Sequence, residues 1–225
     1  MKSLRSLVIS SALFSLLPLA AQADTILLGS YGTTAVNTGV ANSATVYSNA
    51  TSTVDTGSTS TYNIDPASVW HAALGNSSYV SFNAGTGPGG SYIAPNGDYI
   101  YTVSFLLTSE MAANSVGTLS VLADDTVAVS LNGNLLLAAA GPMGATDTYS
   151  HCSDTGPNCI DPTTVALTGL IAGNNLLTFN VKQVNLAQEG LDFSGTITAI
   201  PEPASLALMS SGLLGAIGLV RRRLA

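Results

Sequence analysis

The residues able to do chemistry are few, and they do not gather along the chain. The two histidines, His71 and His151, lie far apart. Neither sits in an H-E-x-x-H pair, and the sequence holds no G-x-S-x-G elbow and no phosphate-cradling Walker loop. A serine–histidine–aspartate triad is defined by geometry rather than chain order. Nothing in the spacing singles out one serine or aspartate over the many others. Glycoside hydrolysis needs two carboxyl groups about 5–10 Å apart across a sugar. Glu110, Glu189 and the aspartates are too dispersed to nominate such a pair. No catalytic residue is assigned, and the expectation is a protein that is not an enzyme.

Three constellations invite a binding or structural reading. Asp124 and Asp125 are adjacent, so on a strand they point to opposite faces. They read either as turn or capping residues ahead of a hairpin or as part of a hard-cation site, where carboxylates and backbone carbonyls hold Ca²⁺. The D-x-D-x-D-G loop is absent, so no metal is assigned and no cofactor beyond that calcium is expected. Trp70 is the only tryptophan, with Tyr79, Tyr92, Tyr99 and Tyr101 following. Its ring either fills a core or lies exposed to stack on a sugar face. His71, next to it, reads as a strand-end cap or a pocket residue. Cys152 and Cys159 are the only cysteines. The spacer between them contains Gly156 and Pro157 and can turn back, so a local disulfide is reachable. Zinc usually takes four ligands, and only His151 adjoins this pair.

The elements that must position these residues follow from charge and composition. The chain has 225 residues and a formal net charge of −7. Five of its six basic residues, Lys2, Arg5, Arg221, Arg222 and Arg223, lie near the two ends. Between Asp24 and Ile200 a single lysine, Lys182, faces twelve acidic residues, leaving that stretch at −11. A nucleic-acid partner is excluded, because displacing phosphate counterions takes cations this body lacks. The low charge also argues against disorder of the highly charged kind. About 175 residues remain once the ends are set aside, enough to bury a core without metals or several disulfides.

Residues 1–23 carry a basic start (Lys2, Arg5), an apolar run from Leu7 to Leu19 and a closing Ala21-Gln22-Ala23. That is the pattern of a secretory signal peptide cleaved before Asp24. The other end reads PEPASLALMSSGLLGAIGLVRRRLA. Ala204–Val220 is a run of 17 uncharged residues, the lower limit for a membrane-spanning helix. Arg221–Arg223 would hold its far end in the cytoplasm. Pro201-Glu202-Pro203 stays extended at the boundary because proline fixes φ and donates no hydrogen bond. Pro-Glu-Pro, a short apolar run and a terminal arginine cluster together resemble the PEP-CTERM sorting signal. That resemblance implies processing by an exosortase, a membrane cysteine protease. It also implies a transient inner-membrane anchor, cleavage near Pro201–Pro203 and delivery to the outer surface or matrix of a Gram-negative bacterium. In such an oxidising compartment a Cys152–Cys159 bridge is expected.

The body from 24 to 200 reads as all-β. Short β-branched and aromatic runs are broken by Gly, Asn and Pro, the clearest being Tyr99–Leu107, Thr118–Ala123, Thr126–Leu131, Leu135–Ala140, Asn175–Val184 and Asp192–Ile200. Asn132-Gly133 is a two-residue hairpin signal. These features predict an antiparallel β-sandwich or jelly roll. Asp124, Asp125, Val129, Leu131, Asn132 and Gly133, followed by Gly173, Asn175, Leu177, Phe179 and Val181, resemble the second half of galactose-binding-like jelly rolls. That resemblance implies a carbohydrate-binding or adhesive role, with extracellular polysaccharide as the partner. A structural matrix or filament component is the alternative, and a secreted polysaccharide hydrolase a more distant one. The Ser/Thr-rich segment 42–61 is expected to form edge strands or a long loop, with a flexible arm and O-glycosylation as other readings.

Overall fold

The computed structural model describes residues 24–31, 41–50, 52–75, 77–140, 156–184, 186–200 and Gly212. The expected signal peptide, the apolar run 204–220 (Gly212 apart), His151 and Cys152 lie outside the described residues. Asp24–Ile200 is one compact unit.

Strand formation follows the alternation in the sequence. In β10 (Gly173–Gln183) the buried positions are Asn175, Leu177, Phe179, Val181 and Gln183, every second residue, so one face of the pleat is apolar and the other polar. β5 (Gly97–Leu107) buries Tyr99, Tyr101, Phe105 and Leu107 in the same way. It lies between β10 and β2 (Ala41–Asn49), the interior place expected of so apolar a run. β7 (Thr126–Leu131) turns into β8 (Asn134–Leu137) through Asn132 (φ 52°) and Gly133 (φ 82°). Two consecutive positive φ values are what a type I′ hairpin requires, and Asn-Gly supplies them with least strain.

Every strand pair is antiparallel. The order is β8-β7-β10-β5-β2, continuing through β3 (Ser60–Asn63), β4 (Val80–Ser81), β11 (Gly190–Ala199), β6 (Ser115–Asp124) and β9 (Thr163–Ala166), with β1 (Thr25–Gly29) also paired to β11. The terminal strands β8 and β9 approach each other, so the sheet curls into a barrel-like form consistent with a jelly roll. Its interior is apolar, and Phe179 of β10 stacks on Phe193 of β11 at 4.3 Å, one ring from each half. The one short helix, α1 (Ser109–Asn114), is capped by the Thr108 hydroxyl, which accepts from the Met111 N–H. It joins β5 to β6.

Two ends of the body are thereby defined. At one end lie the strand termini Thr25, which pairs with Thr198, and Ala199, together with α1, the Asn132-Gly133 turn and the 167–172 loop. The Ala199 N–H donates to the Asp24 carbonyl at 2.8 Å and the Ile200 N–H to the Asn114 carbonyl at 2.6 Å. At the opposite end the chain crosses from β6 to β7 through Asp124 and Asp125.

The Ser/Thr-rich segment departs from expectation. Its first part is β2, which lies inside the sheet between β5 and β3 rather than at an edge. Buried Thr45 and Thr61 explain how so polar a strand is accommodated. The Thr45 hydroxyl donates to the Ser30 carbonyl at 2.6 Å, and that of Thr61 donates to the Thr45 carbonyl at 2.9 Å. Hydroxyls that bond backbone carbonyls remove the cost of burying them.

Candidate functional site

Polar groups converge where β6 hands over to β7. Asp124 ends β6 opposite Gly190 of β11; Asp125 follows through a cis peptide bond and Thr126 opens β7. β6 and β7 belong to different halves of the sheet, so Asp124 and Asp125 form the corner that leads into the β7–β8 hairpin. Both carboxyls are buried there. Asp125 Oδ2 accepts the Val184 N–H at 2.7 Å, and its own N–H donates to the Lys182 carbonyl at 3.1 Å, tying the corner to the end of β10.

The sheet surface outside Asp124 is roofed by residues 64–74 and the loop 156–161. Ile64, Trp70, Tyr79, Leu122 and Cys159 form a second apolar cluster there, separate from the interior core. Trp70 packs on Tyr79 at 4.9 Å, and its indole hydrogen-bonds the Asp124 carboxyl. Only glycine fits beneath it, since a Cβ at residue 190 would come within 2.9 Å of two carbons of the indole. The His71 N–H donates to the Cys159 carbonyl at 2.8 Å and the Ala123 N–H to the Asn158 carbonyl at 3.2 Å, fastening both roof segments. Trp70 is therefore a core residue and not an exposed stacking platform. The His71 side chain is exposed, capping no strand.

Two further buried carboxyls flank Gly190, and spacing alone did not connect them with Asp124. Glu189 has no exposed surface. Its Oε2 accepts from Ser81 Oγ at 2.5 Å, and the Tyr101 hydroxyl lies 2.9 Å from both carboxyl oxygens. Asp192 accepts from Ser30 Oγ at 2.9 Å and from the Leu74 N–H at 2.7 Å. Among the described residues no arginine or lysine compensates them. Burial pushes Glu189 up to about 8, against the lowering effect of the Ser81 and Tyr101 hydroxyls. Burial likewise raises Asp192 to about 6, opposed by the Leu74 amide and Ser30. Asp124 is driven well above the carboxylate range by burial, then by repulsion from Asp125. Its Oδ1 and the hydroxyl of Tyr79 are buried with no hydrogen-bond partner. The signal that could have found this cluster is a single lysine in a body with twelve acids: acids drawn inside such a domain must mostly be held neutral rather than paired.

Among the described residues no group of three or more His, Cys, Asp or Glu side chains could hold a metal ion. Cys159 is buried and carries no free thiol; its expected partner Cys152 lies outside the described residues.

The fold class is thus an antiparallel all-β body of barrel-like, jelly-roll-like form. Residues 199–223 match the PEP-CTERM protein-sorting motif, so the chain is an exported protein processed by an exosortase. No curated protein matches the sequence. Among the described residues no helix is long and apolar enough to cross a membrane; the run 204–220 is not among those searched, apart from Gly212.

Proposed function

We propose that Asp24–Ile200 is a non-catalytic cargo domain, delivered to the outer surface or matrix of a Gram-negative cell and associating there with extracellular polysaccharide. The sorting motif at residues 199–223 carries this reading. Two features of the body support it. The body is rich in serine, threonine and asparagine, with one lysine and no arginine, so it offers sugars hydrogen bonds without gathering polyanions. The buried Glu189 and Asp192 carboxyls are wrapped by protein donors, out of a polymer's reach. Contact through hydroxyls and amides replaces ring stacking, because no Trp, Tyr or Phe is fully exposed among the described residues. Retention of the purified domain on a panel of polysaccharides, the host's own included, is expected; no retention on any would remove the binding claim. Reducing ends released from any of these polymers would move the assignment to a hydrolase.

A structural matrix component is the second reading, favoured by β8 and β9, which end the sheet and carry ladder partners on one side only. Such edges can template pairing with another chain. Light scattering that grows with protein concentration, without added glycan, would select it. A Cys152–Cys159 bridge would fasten the roof over Trp70 in either case. Calcium at Asp124 and Asp125 is the alternative to protonation, and a fall in Tm on adding chelator would reveal it.

A further inference from the structure

We propose that the end of the body from which the C-terminal segment departs is a lipid-facing surface that rests on the bilayer while the chain is anchored. The inference builds on the exosortase-substrate reading and assigns the body a partner that the motif does not specify. Apolar side chains of unusual exposure gather at this end. Leu106 is 70 % exposed, Leu135 66 % and Val116 59 %, joined by Leu176, Ile171 and Ile200. Leu106 and Leu176 lie on the outward faces of β5 and β10, where Leu106 pairs with Asn174 and Leu176 with Ser104, so the two leucines are diagonal neighbours. Leu135 stands beside the Asn132-Gly133 turn opposite Ser130. On the other half, Val116 pairs with Thr198, two residues before Ile200. Ile171 occupies the loop between them.

What covers this collar is set by chain length. Four Cα steps separate Ile200 from Ala204, where the apolar run of the sorting signal begins, so the chain between them reaches at most about 14 Å. Ile200 itself is held to α1 by its N–H bond to Asn114. The interfacial layer of one leaflet is about 5–8 Å thick. With the apolar run inserted, the collar is kept by this tether within about 10 Å of the headgroups. Its charge defines the kind of lipid. The end carries Asp24 and Glu110 and no cation, while the body's one lysine, Lys182, lies at the opposite end, paired across the sheet with Asp98. Attraction therefore comes from apolar burial alone, and zwitterionic lipid suits it better than anionic lipid.

The test uses the full chain reconstituted into zwitterionic vesicles, with an environment-sensitive fluorophore placed through Leu106→Cys or, as control at the opposite end, Val69→Cys. Resistance of the chain to alkaline extraction first reports whether the tail is inserted. With insertion established, the probe at 106 is expected to be blue-shifted and quenched by lipid-borne quenchers, and the probe at 69 to remain in water. An inserted chain with both probes equally hydrated overturns the docking surface and leaves the sorting reading intact; a chain that fails to insert overturns both. In a label-free version, Leu106→Ser with Leu135→Ser is expected to lower flotation of the trimmed body with zwitterionic vesicles about tenfold without lowering Tm. Stronger binding to anionic than to zwitterionic vesicles would also contradict the proposal.

Discussion

Trp70 and Gly190 occupy one another's space: the indole lies where any side chain at 190 would begin, its ring carbons 2.9 Å from the position of a Cβ. The other obstruction, Ile64 Cδ1 at 2.7 Å, is the end of a flexible side chain and can move. The ring is held by its contact with Tyr79 and its bond to Asp124 and cannot move as easily. Gly190→Ala is therefore expected to destabilise the body by about 1–3 kcal/mol, read as a lower midpoint in urea. Combining it with Trp70→Phe should cost less than the sum of the two single changes, because the smaller ring vacates the contested volume. Strict additivity would mean that the two residues do not oppose each other.

The buried carboxyls make stability depend on pH in an unusual direction. Glu189 is raised to about 8 in the folded body from 4.5, so between those values the folded state holds a proton that the unfolded chain has lost. Stability must fall as pH rises through that window, by on the order of 5 kcal/mol for this group alone. Asp192, raised to about 6 from 3.8, adds to the loss between those values. The domain is thus expected to melt higher at pH 5 than at pH 8. Glu189→Gln, which cannot ionise, should flatten most of that slope, and a slope unchanged by the substitution would locate the proton elsewhere.

Asn175 joins three segments at the near end. Its amide donates to the Ile171 and Gly173 carbonyls, and its carbonyl oxygen accepts from the Ile171 N–H and the Asn132 amide. The Asn132 side chain in turn accepts the Leu176 N–H at 2.9 Å and donates to the Gly169 carbonyl at 3.1 Å. Asn175→Ala leaves these partly buried backbone groups without their side-chain partners and is expected to cost about 1–3 kcal/mol. Asn175→Asp keeps the acceptor but loses both amide bonds, and should fall between. Hydrogen exchange should quicken first in residues 169–175 and at the hairpin turn.

Much of the fold could be read from the chain because its strands alternate strictly. Val127, Val129 and Leu131 announce β7, Leu177, Phe179 and Val181 announce β10, and Asn132-Gly133 fixes the turn between β7 and β8. The sequence was silent where pairing, not periodicity, makes the strand. β4 is two residues held between Asn63 and Leu191, and β2 is a third serine and threonine, with few apolar side chains between them. The burial of Asp124 and Asp125 was not legible because adjacency says nothing about which strands the next residues will join. Glu189 and Asp192 escaped notice because their relation to Asp124 exists only through the pairing of β11 with β6.

The order of the body at its two limits bears on processing. Asp24 and Ala199 are hydrogen-bonded neighbours, and Ile200 is bonded to Asn114, so regular structure runs to the edge of both segments that the sequence marks for removal. A protease needs an extended stretch of several residues, and a folded strand denies it one. Cleavage is therefore expected just before Asp24 at one limit and at or beyond Pro201 at the other, with no trimming into β1 or β11. Intact mass and terminal peptides of the protein recovered from its host's surface fraction test both limits at once. A chain beginning at Asp24 and ending near Pro201–Pro203 is the expected product, and excess mass would report attached glycan. A terminus inside β11 would mean that the strand opens during processing. A chain still ending in Arg221-Arg222-Arg223-Leu224-Ala225 would mean that the anchor is retained, and the surface or matrix assignment would fall with it.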